Sequence, residues 1–148
     1  MKEAIQETTQ ILKKVTLYCD GSCSKNPGNG GWGSVLVYIK KNGEPIEREL
    51  SGGTNDTTNN RMEIVAAIEG LRAIKYPCQV EVCTDSQYLI KVMSGGNRKA
   101  NTDLLEQLDQ LCQTHQVTWT HVRGHSGNEL NERCDKLAKK AALSLLPA

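Results

Sequence analysis

The sequence predicts an α/β protein built on a mixed sheet with helices on its faces. Three observations carry that expectation. Val15, Leu17 and Cys19 alternate with Thr16, Tyr18 and Asp20, the period-two pattern of a strand with one buried face. Two further extended segments meet at Asn42-Gly43, a strong short-range hairpin signal. Beyond residue 58, helix-periodic and strand-like stretches alternate. Three strands in a run, then alternation, give the order βββαβααβα and imply that parallel pairs are joined by crossover helices.

The elements follow in order. Residues 1–14, MKEAIQETTQILKK, are polar and read as an extension ahead of a single domain over 15–148. VTLYCDGSCS supplies the first strand, KNPGNGGWG a turn-rich break, and SVLVYIKKNGEPIEREL the second and third strands. SGGTND ends the strand pattern. In TNNRMEIVAAIEGL, the apolar residues Ile64, Ala67, Ile68 and Leu71, continuing to Ile74, follow helical three-and-four spacing. Asn60 is the expected N-cap, with Glu63 reaching back to it as in a capping box. Pro77 closes that helical region, CQVEVCT is strand four, and DSQYLIKVM is a short helix. Thr84 and Gln87 are spaced for a second capping box. After the loop SGGNRKAN, the segment TDLLEQLDQLCQTH gathers Leu104, Leu105, Leu108, Leu111 and Cys112 on one side of a helix. QVTWTHV is strand five and RGHSGN a loop, and ELNERCDKLAKKAALSLL closes the chain as a helix with Leu130, Cys134, Leu137, Ala138 and Ala141 on its apolar stripe.

At 148 residues the chain is long enough to bury one good core. Its formal net charge of +1 argues against holding nucleic acid by bulk charge alone. No apolar run approaches a membrane span, so no membrane partner is expected. The N-terminus has no apolar centre with a small-residue cleavage site, which leads to a cytoplasmic expectation. The six cysteines, Cys19, Cys23, Cys78, Cys83, Cys112 and Cys134, form no C-x-x-C pair and read as free thiols in a reducing compartment.

Four acids share a placement. Asp20 lies at the end of strand one, Glu63 in the first turn of the first long helix, Asp85 directly after strand four, and Asp135 near the start of the last helix. Strand carboxyl ends and helix N-termini gather at one rim of such sheets, where ligands bind. Each acid also has a local explanation. Asp20-Gly21 suits a turn, Asp85 lies within a capping sequence, and Asp135 can pair with Lys139 four residues on. Four carboxylates converging on one rim are what a hard divalent cation needs, since Mg²⁺ takes oxygen ligands and completes its octahedron with water and phosphate. Neither G-x-S-x-G nor a Walker P-loop is present. His125 lies on a glycine-flanked loop, and histidine, as the side chain that ordinarily changes charge near neutrality, suits a proton shuttle. His121 and His125 have a metal-like spacing, but a strand and a loop carry them, which disfavours a histidine metal site. His115 reads as a helix-end residue.

The segments YCDGSCSKNPGNGGWG, TTNNRMEIVAAIEGL, TDSQYL and HVRGHSGNELNERCDKLA, in this order and spacing, resemble the signature segments of type 1 ribonuclease H over about residues 15–143. The resemblance implies the ribonuclease H-like fold, a five-stranded mixed sheet in the order 3-2-1-4-5. It implies an endonuclease that hydrolyses the RNA strand of an RNA–DNA hybrid, leaving a 5′-phosphate and a 3′-hydroxyl. Asp20, Glu63, Asp85 and Asp135 would hold two Mg²⁺ ions, with Mn²⁺ as a substitute. The ion on Asp20 and Asp85 would activate water, and the ion on Asp20, Glu63 and Asp135 would stabilise the leaving 3′-oxygen, the two clamping an in-line displacement. His125 would assist proton transfer or product departure.

Cys23, Asn26, Asn59, Asn60 and Gln87 match residues that line the minor groove, where 2′-hydroxyls distinguish RNA from DNA. Thr58 and Asn101 match positions that hold a phosphate of the DNA strand. The implied partner is the hybrid duplex, bound by a monomer. Two departures from the family bear on grip: the long basic protrusion of many members shrinks to KVMSGGNRKAN, and Asp56 stands where many place an arginine. Weaker, more salt-sensitive hybrid binding is therefore expected. Two other readings are an integrase-like nuclease, which the NNRME and GHSGN segments oppose, and a binding module without catalysis, which would have replaced at least one acid.

Overall fold

The computed structural model of the protein describes residues 12–123 and 128–146. Five strands, β1 (Lys14–Cys23), β2 (Gly28–Ile39), β3 (Pro45–Thr57), β4 (Gln79–Thr84) and β5 (Gln116–His121), form one sheet in the order β3-β2-β1-β4-β5. Four helices accompany them: α1 (Asn59–Arg72), α2 (Gln87–Met93), α3 (Thr102–Thr114) and α4 (Glu129–Leu143). The first three strands pair antiparallel, while β1–β4 and β4–β5 are parallel, as the expected order requires.

Leu17 of β1, Val80 and Val82 of β4, and Ile64, Ile68 and Leu71 of α1 are fully buried with Leu89, Leu105 and Leu108 from α2 and α3. They form one core on one face of the sheet. The opposite face of β1 and β2 is covered by α4.

Two segments expected to break the strand pattern are strand instead. KNPGNGGWG enters β2 at Gly28, and SGGTND continues β3 to Thr57. Gly31, Gly33 and Gly53 serve helix packing rather than turning. A Cβ on Gly33 would lie 2.5 Å from the Cys134 carbonyl oxygen, and one on Gly53 would lie 2.8 Å from that of Ala141. Missing side chains thus let the backbone of α4 rest directly on β2 and β3. The pairing shifts register between Gly28 and Gly30, where Asp56 of β3 takes a left-handed φ of 54°, a bulge that reshapes the strand end beside α1.

The caps also differ from expectation. Thr58, not Asn60, is the N-cap of α1, its hydroxyl accepting from Arg61 N–H, so Glu63 falls in the second turn and takes no part in capping. At α2 the cap is Ser86, which accepts from Leu89 N–H, while Thr84 Oγ1 accepts from Ser86 N–H. Both helices thus begin without the expected carboxylate or Gln partner. His115 is more than a helix end: it is buried, and its Nδ1 accepts from Cys78 N–H, tying α3 to the start of β4. All six cysteines are free, and four are buried.

Candidate active site

β1 pairs with β4 only as far as Tyr18 and Cys83. Beyond that point the strands part, and carboxylates approach the opening from three elements. Asp20 lies within β1 rather than at its end, opposite Gly33 on the face that α4 covers. Glu63 reaches in from α1, and Asp85 follows β4. One oxygen from each of Asp20, Glu63 and Asp85 lies within 4.8 Å of the others.

Gly21 explains the closeness of the first two. Its N–H donates to Glu63 Oε1 at 2.8 Å and to Asp20 Oδ1 at 3.0 Å, so one amide serves both side chains. A Cβ at residue 21 would sit 2.5 Å from the Glu63 backbone nitrogen and 2.6 Å from the Met62 carbonyl carbon. The Asp-Gly pair that suggests a turn is instead a strand that must touch a helix backbone. Gly21→Ala is expected to destabilise the protein by roughly 1–3 kcal/mol through this clash and to lower activity by displacing Glu63. Chemical denaturation with a parallel cleavage assay checks both; wild-type values in both would contradict the packing described.

Burial is the largest cause that raises the Asp20 carboxyl well above the usual range, followed by the charges of Asp85 and Asp135. Glu63 is raised in the same sense by burial, then by Asp20 and Asp85. The Gly21 amide pulls both the other way and does not win. Among the described residues, no Lys or Arg pairs with any of the three. Two buried acids and a half-buried third, held together without a protein cation and all offering oxygen, are a donor set fitted to a hard divalent ion.

The fourth expected acid stands at the border of the group. Asp135 is half-buried on α4, acts on Asp20 through its charge, and pairs with Lys139 at 3.0 Å. Its local explanation and its place beside Asp20 therefore hold together. His125 lies outside the described residues.

Of the expected groove and phosphate residues, Cys23, Asn26, Thr58, Asn59 and Asn101 take part in hydrogen bonds around the start of α1, while Asn60 and Gln87 make none through their side chains among the described residues. Cys23 Sγ donates to the carbonyl oxygens of Lys25 at 2.9 Å and Thr57 at 3.4 Å. Asn26 Oδ1 accepts from Asn59 N–H at 2.8 Å, docking that loop on the first turn of α1, beside Thr58 and the exposed Asn60. Arg61 then bridges to the far side, donating to Asn101 Oδ1 at 3.2 Å while holding Asp103 through two bonds of 3.0 and 2.8 Å. That guanidinium holds the Asp103 carboxyl down at about 2. Asn101, in a left-handed conformation with φ 62°, donates to the Tyr88 hydroxyl at 2.9 Å, next to Gln87. Arg61, Tyr88 and Asp103 are the connectors that sequence reasoning missed. Arg61 sits two residues before Glu63 and invites pairing with it, but its partner is 42 residues away on α3.

Comparison with known proteins agrees with this architecture. The family model for RNase H matches residues 12–143. The ribonuclease H of Geotalea uraniireducens (strain Rf4) is 50% identical over 142 residues, spanning 86% of this chain and 93% of that protein. That of Hahella chejuensis (strain KCTC 2396) is 48% identical over 141 residues, spanning 86% and 92%. Among solved structures, LC9-RNase H1, described as a type 1 RNase H with the type 2 active-site motif, matches with a TM-score of 0.81 and 30% identity over 93% of this chain and 75% of that one. With its sheet order, its carboxylates at the parting of β1 and β4, and half its residues shared with relatives, the chain belongs to the ribonuclease H family.

Proposed function

We propose that the chain hydrolyses the RNA strand of RNA–DNA hybrids by metal-dependent phosphodiester cleavage, leaving 5′-phosphate and 3′-hydroxyl ends. One observation carries the reading: Asp20, Glu63 and Asp85 converge within 4.8 Å at the rim of a ribonuclease H sheet. Asp20, Glu63 and Asp85, with Asp135 beside them, would hold two Mg²⁺ ions or Mn²⁺ in their place. Bound divalent ions supply Lewis-acid stabilisation of the attacked phosphate and a nucleophilic water at neutral pH.

The protein's own contribution is positioning. Gly21 N–H fixes Asp20 and Glu63 against each other. Cys23, Asn26, Thr58, Asn59, Asn60, Asn101 and Gln87 offer amide, hydroxyl and thiol groups to a duplex. Hydrogen-bonding groups of this kind suit 2′-hydroxyls in a wide, shallow groove. His125 is the proposed proton carrier. The reading is of a monomer acting in the cytoplasm, where six free thiols stay reduced.

Cleavage of an end-labelled hybrid, an RNA duplex and a DNA duplex, each with Mg²⁺, Mn²⁺ and then chelator, tests this directly. Metal-dependent cutting of the hybrid's RNA strand is expected, with a phosphatase-sensitive 5′ end on each downstream fragment. Cutting that persists in chelator, or equal cutting of the DNA duplex, would defeat the proposal.

Asp56 gives a further expected outcome. It is exposed and left-handed, two residues before Thr58, one of the proposed phosphate contacts. Asp56→Asn keeps a residue that tolerates this backbone and removes a charge repelling the backbone phosphates. The KM for the hybrid is expected to fall about two- to threefold at low salt, with the gain shrinking as salt rises. An unchanged KM across the salt titration would mean that Asp56 does not face the duplex.

A further inference from the structure

A recess lies on the β5 side of the carboxylates, and of its walls the hydrolysis just described uses only Gln87. It measures about 560 Å³ and is walled by Gln87, Ile90 and Lys91 of α2, by residues 94–96 of the loop that follows, and by His121 at the end of β5. Its position is fixed by the sheet. His121 is the register partner of Thr84, the residue before Asp85, and Gln87 follows Asp85 by two positions. A ligand in the recess is therefore a neighbour of whatever the carboxylates act on.

The chemistry of the walls selects the ligand. Gln87, Lys91, Ser94 and His121 all offer donors, and among the described residues no carboxylate lines the recess. Among the described residues, none of these four side chains has a hydrogen-bond or ion-pair partner in the protein. Arg98, a cation of the same loop, is by contrast fully committed. Its Nε and Nη2 donate to Val92 O, and its guanidinium grips both oxygens of Asp109.

The backbone at Lys91 is fixed by the loop that follows. The loop closes α2 through Gly96 N–H, which donates to Lys91 O at 2.8 Å, with Gly95 left-handed at φ 99°. A Cβ on Gly96 would lie 2.7 Å from Lys91 O and 3.0 Å from Lys91 Cγ. Only glycine lets the loop fold this closely under Lys91, which lines the recess.

We infer that this recess binds a backbone phosphate of the nucleic-acid duplex, with Lys91 and His121 donating to its oxygens. The inference rests on the hybrid-cleaving reading above and adds a contact on the β5 side of the scissile position. Phosphate contacts set register and orientation on a duplex without reading sequence, and each shows itself in the salt dependence of binding.

The test is the KM for hybrid cleavage across a salt titration, for the wild type, Lys91→Ala, His121→Ala, the double variant and Lys75→Ala. Lys75 is an exposed lysine ahead of β4, at the opposite end of the sheet, and controls for general loss of charge. The log–log salt slope is expected to become shallower by roughly one on removal of Lys91. The double variant is expected to raise KM roughly three- to tenfold, and Lys75→Ala to match the wild type. Hybrids carrying neutral methylphosphonates in the DNA strand, or in the RNA strand away from the scissile linkage, then identify which strand supplies the phosphate, because on the strand that supplies it the difference in slope between wild type and double variant disappears. A double variant with the slope and KM of Lys75→Ala, or a slope difference between wild type and double variant that survives neutralisation of either strand, would overturn the inference. A wild type that leaves the hybrid uncut would instead defeat the reading beneath it.

Discussion

Asp85→Asn is expected to lower hybrid cleavage on the order of a thousandfold while leaving the fold intact. Asp85 is half-buried just past the end of β4, with an oxygen within 4.8 Å of those of Asp20 and Glu63. Asparagine keeps its shape and one carbonyl oxygen but removes the negative charge that a divalent ion needs. The turn into α2 does not depend on it, since that turn uses Thr84 Oγ1 and the Ser86 hydroxyl. Thermal melting should therefore move by only about 2 °C, a shift worth under 1 kcal/mol in a domain of this size. Single-turnover cleavage alongside a circular dichroism melt makes the check. A variant that cuts within tenfold of the wild type, or one that unfolds, contradicts the role proposed for Asp85.

Asp20→Asn is expected to act differently on stability: it should stabilise the metal-free protein at pH 8 while abolishing cleavage. The folded state raises the carboxyls of Asp20 and Glu63 above their unfolded values, chiefly through burial and then through neighbouring acids. Between the ordinary carboxylate range and those raised values, the folded chain binds more protons than the unfolded chain. Stability from this pair is thus greatest in acid and is lost as pH rises. Replacing Asp20 removes one repelling charge and relieves Glu63. A gain on the order of 2 kcal/mol, or about 4–8 °C in thermal midpoint, is expected at pH 8 and should vanish near pH 4. Saturating Mg²⁺ should raise the wild type and leave the variant almost unmoved. A variant less stable than the wild type at pH 8 without metal would show that the carboxylates do not oppose one another.

The number and sequence of the elements in the described chain were legible from hydrophobic period, and the sheet order from the resemblance carried by the signature segments. The strand ends were not. Gly31, Gly33 and Gly53 carry no sign that distinguishes a turn from a strand lying beneath a helix backbone; only the position of α4 decides it. The capping residues were misassigned for a related reason. Thr58 and Asn60 both suit an N-cap, and the docking of Asn26 on Asn59 N–H selects the earlier start. Three of the four acids meet as their rim placement suggested, while Asp135 stays at the border, paired with Lys139. The Arg61–Asp103–Asn101–Tyr88 chain joins positions far apart in sequence, and nothing local announces such partners.

The shortened loop after α2 shows the same limit. Its cations Lys91, Arg98 and Lys99 look equivalent in sequence, yet Arg98 is spent on Val92 and Asp109, whereas Lys91 faces an open recess. Counting charges therefore overstates the grip of this segment in one place and hides where it lies.

Calorimetric titration of Mn²⁺ into the metal-free protein at neutral pH, beside the same titration of Glu63→Gln, bears most directly on the clustered acids. The glutamine side-chain oxygen of that variant would still accept from Gly21 N–H, so the substitution changes charge and little else. Saturable binding by the wild type, with affinity clearly weakened in the variant, is the expected result. Superimposable isotherms, or no binding by the wild type at all, would show that these acids are brought together for some purpose other than holding a divalent ion.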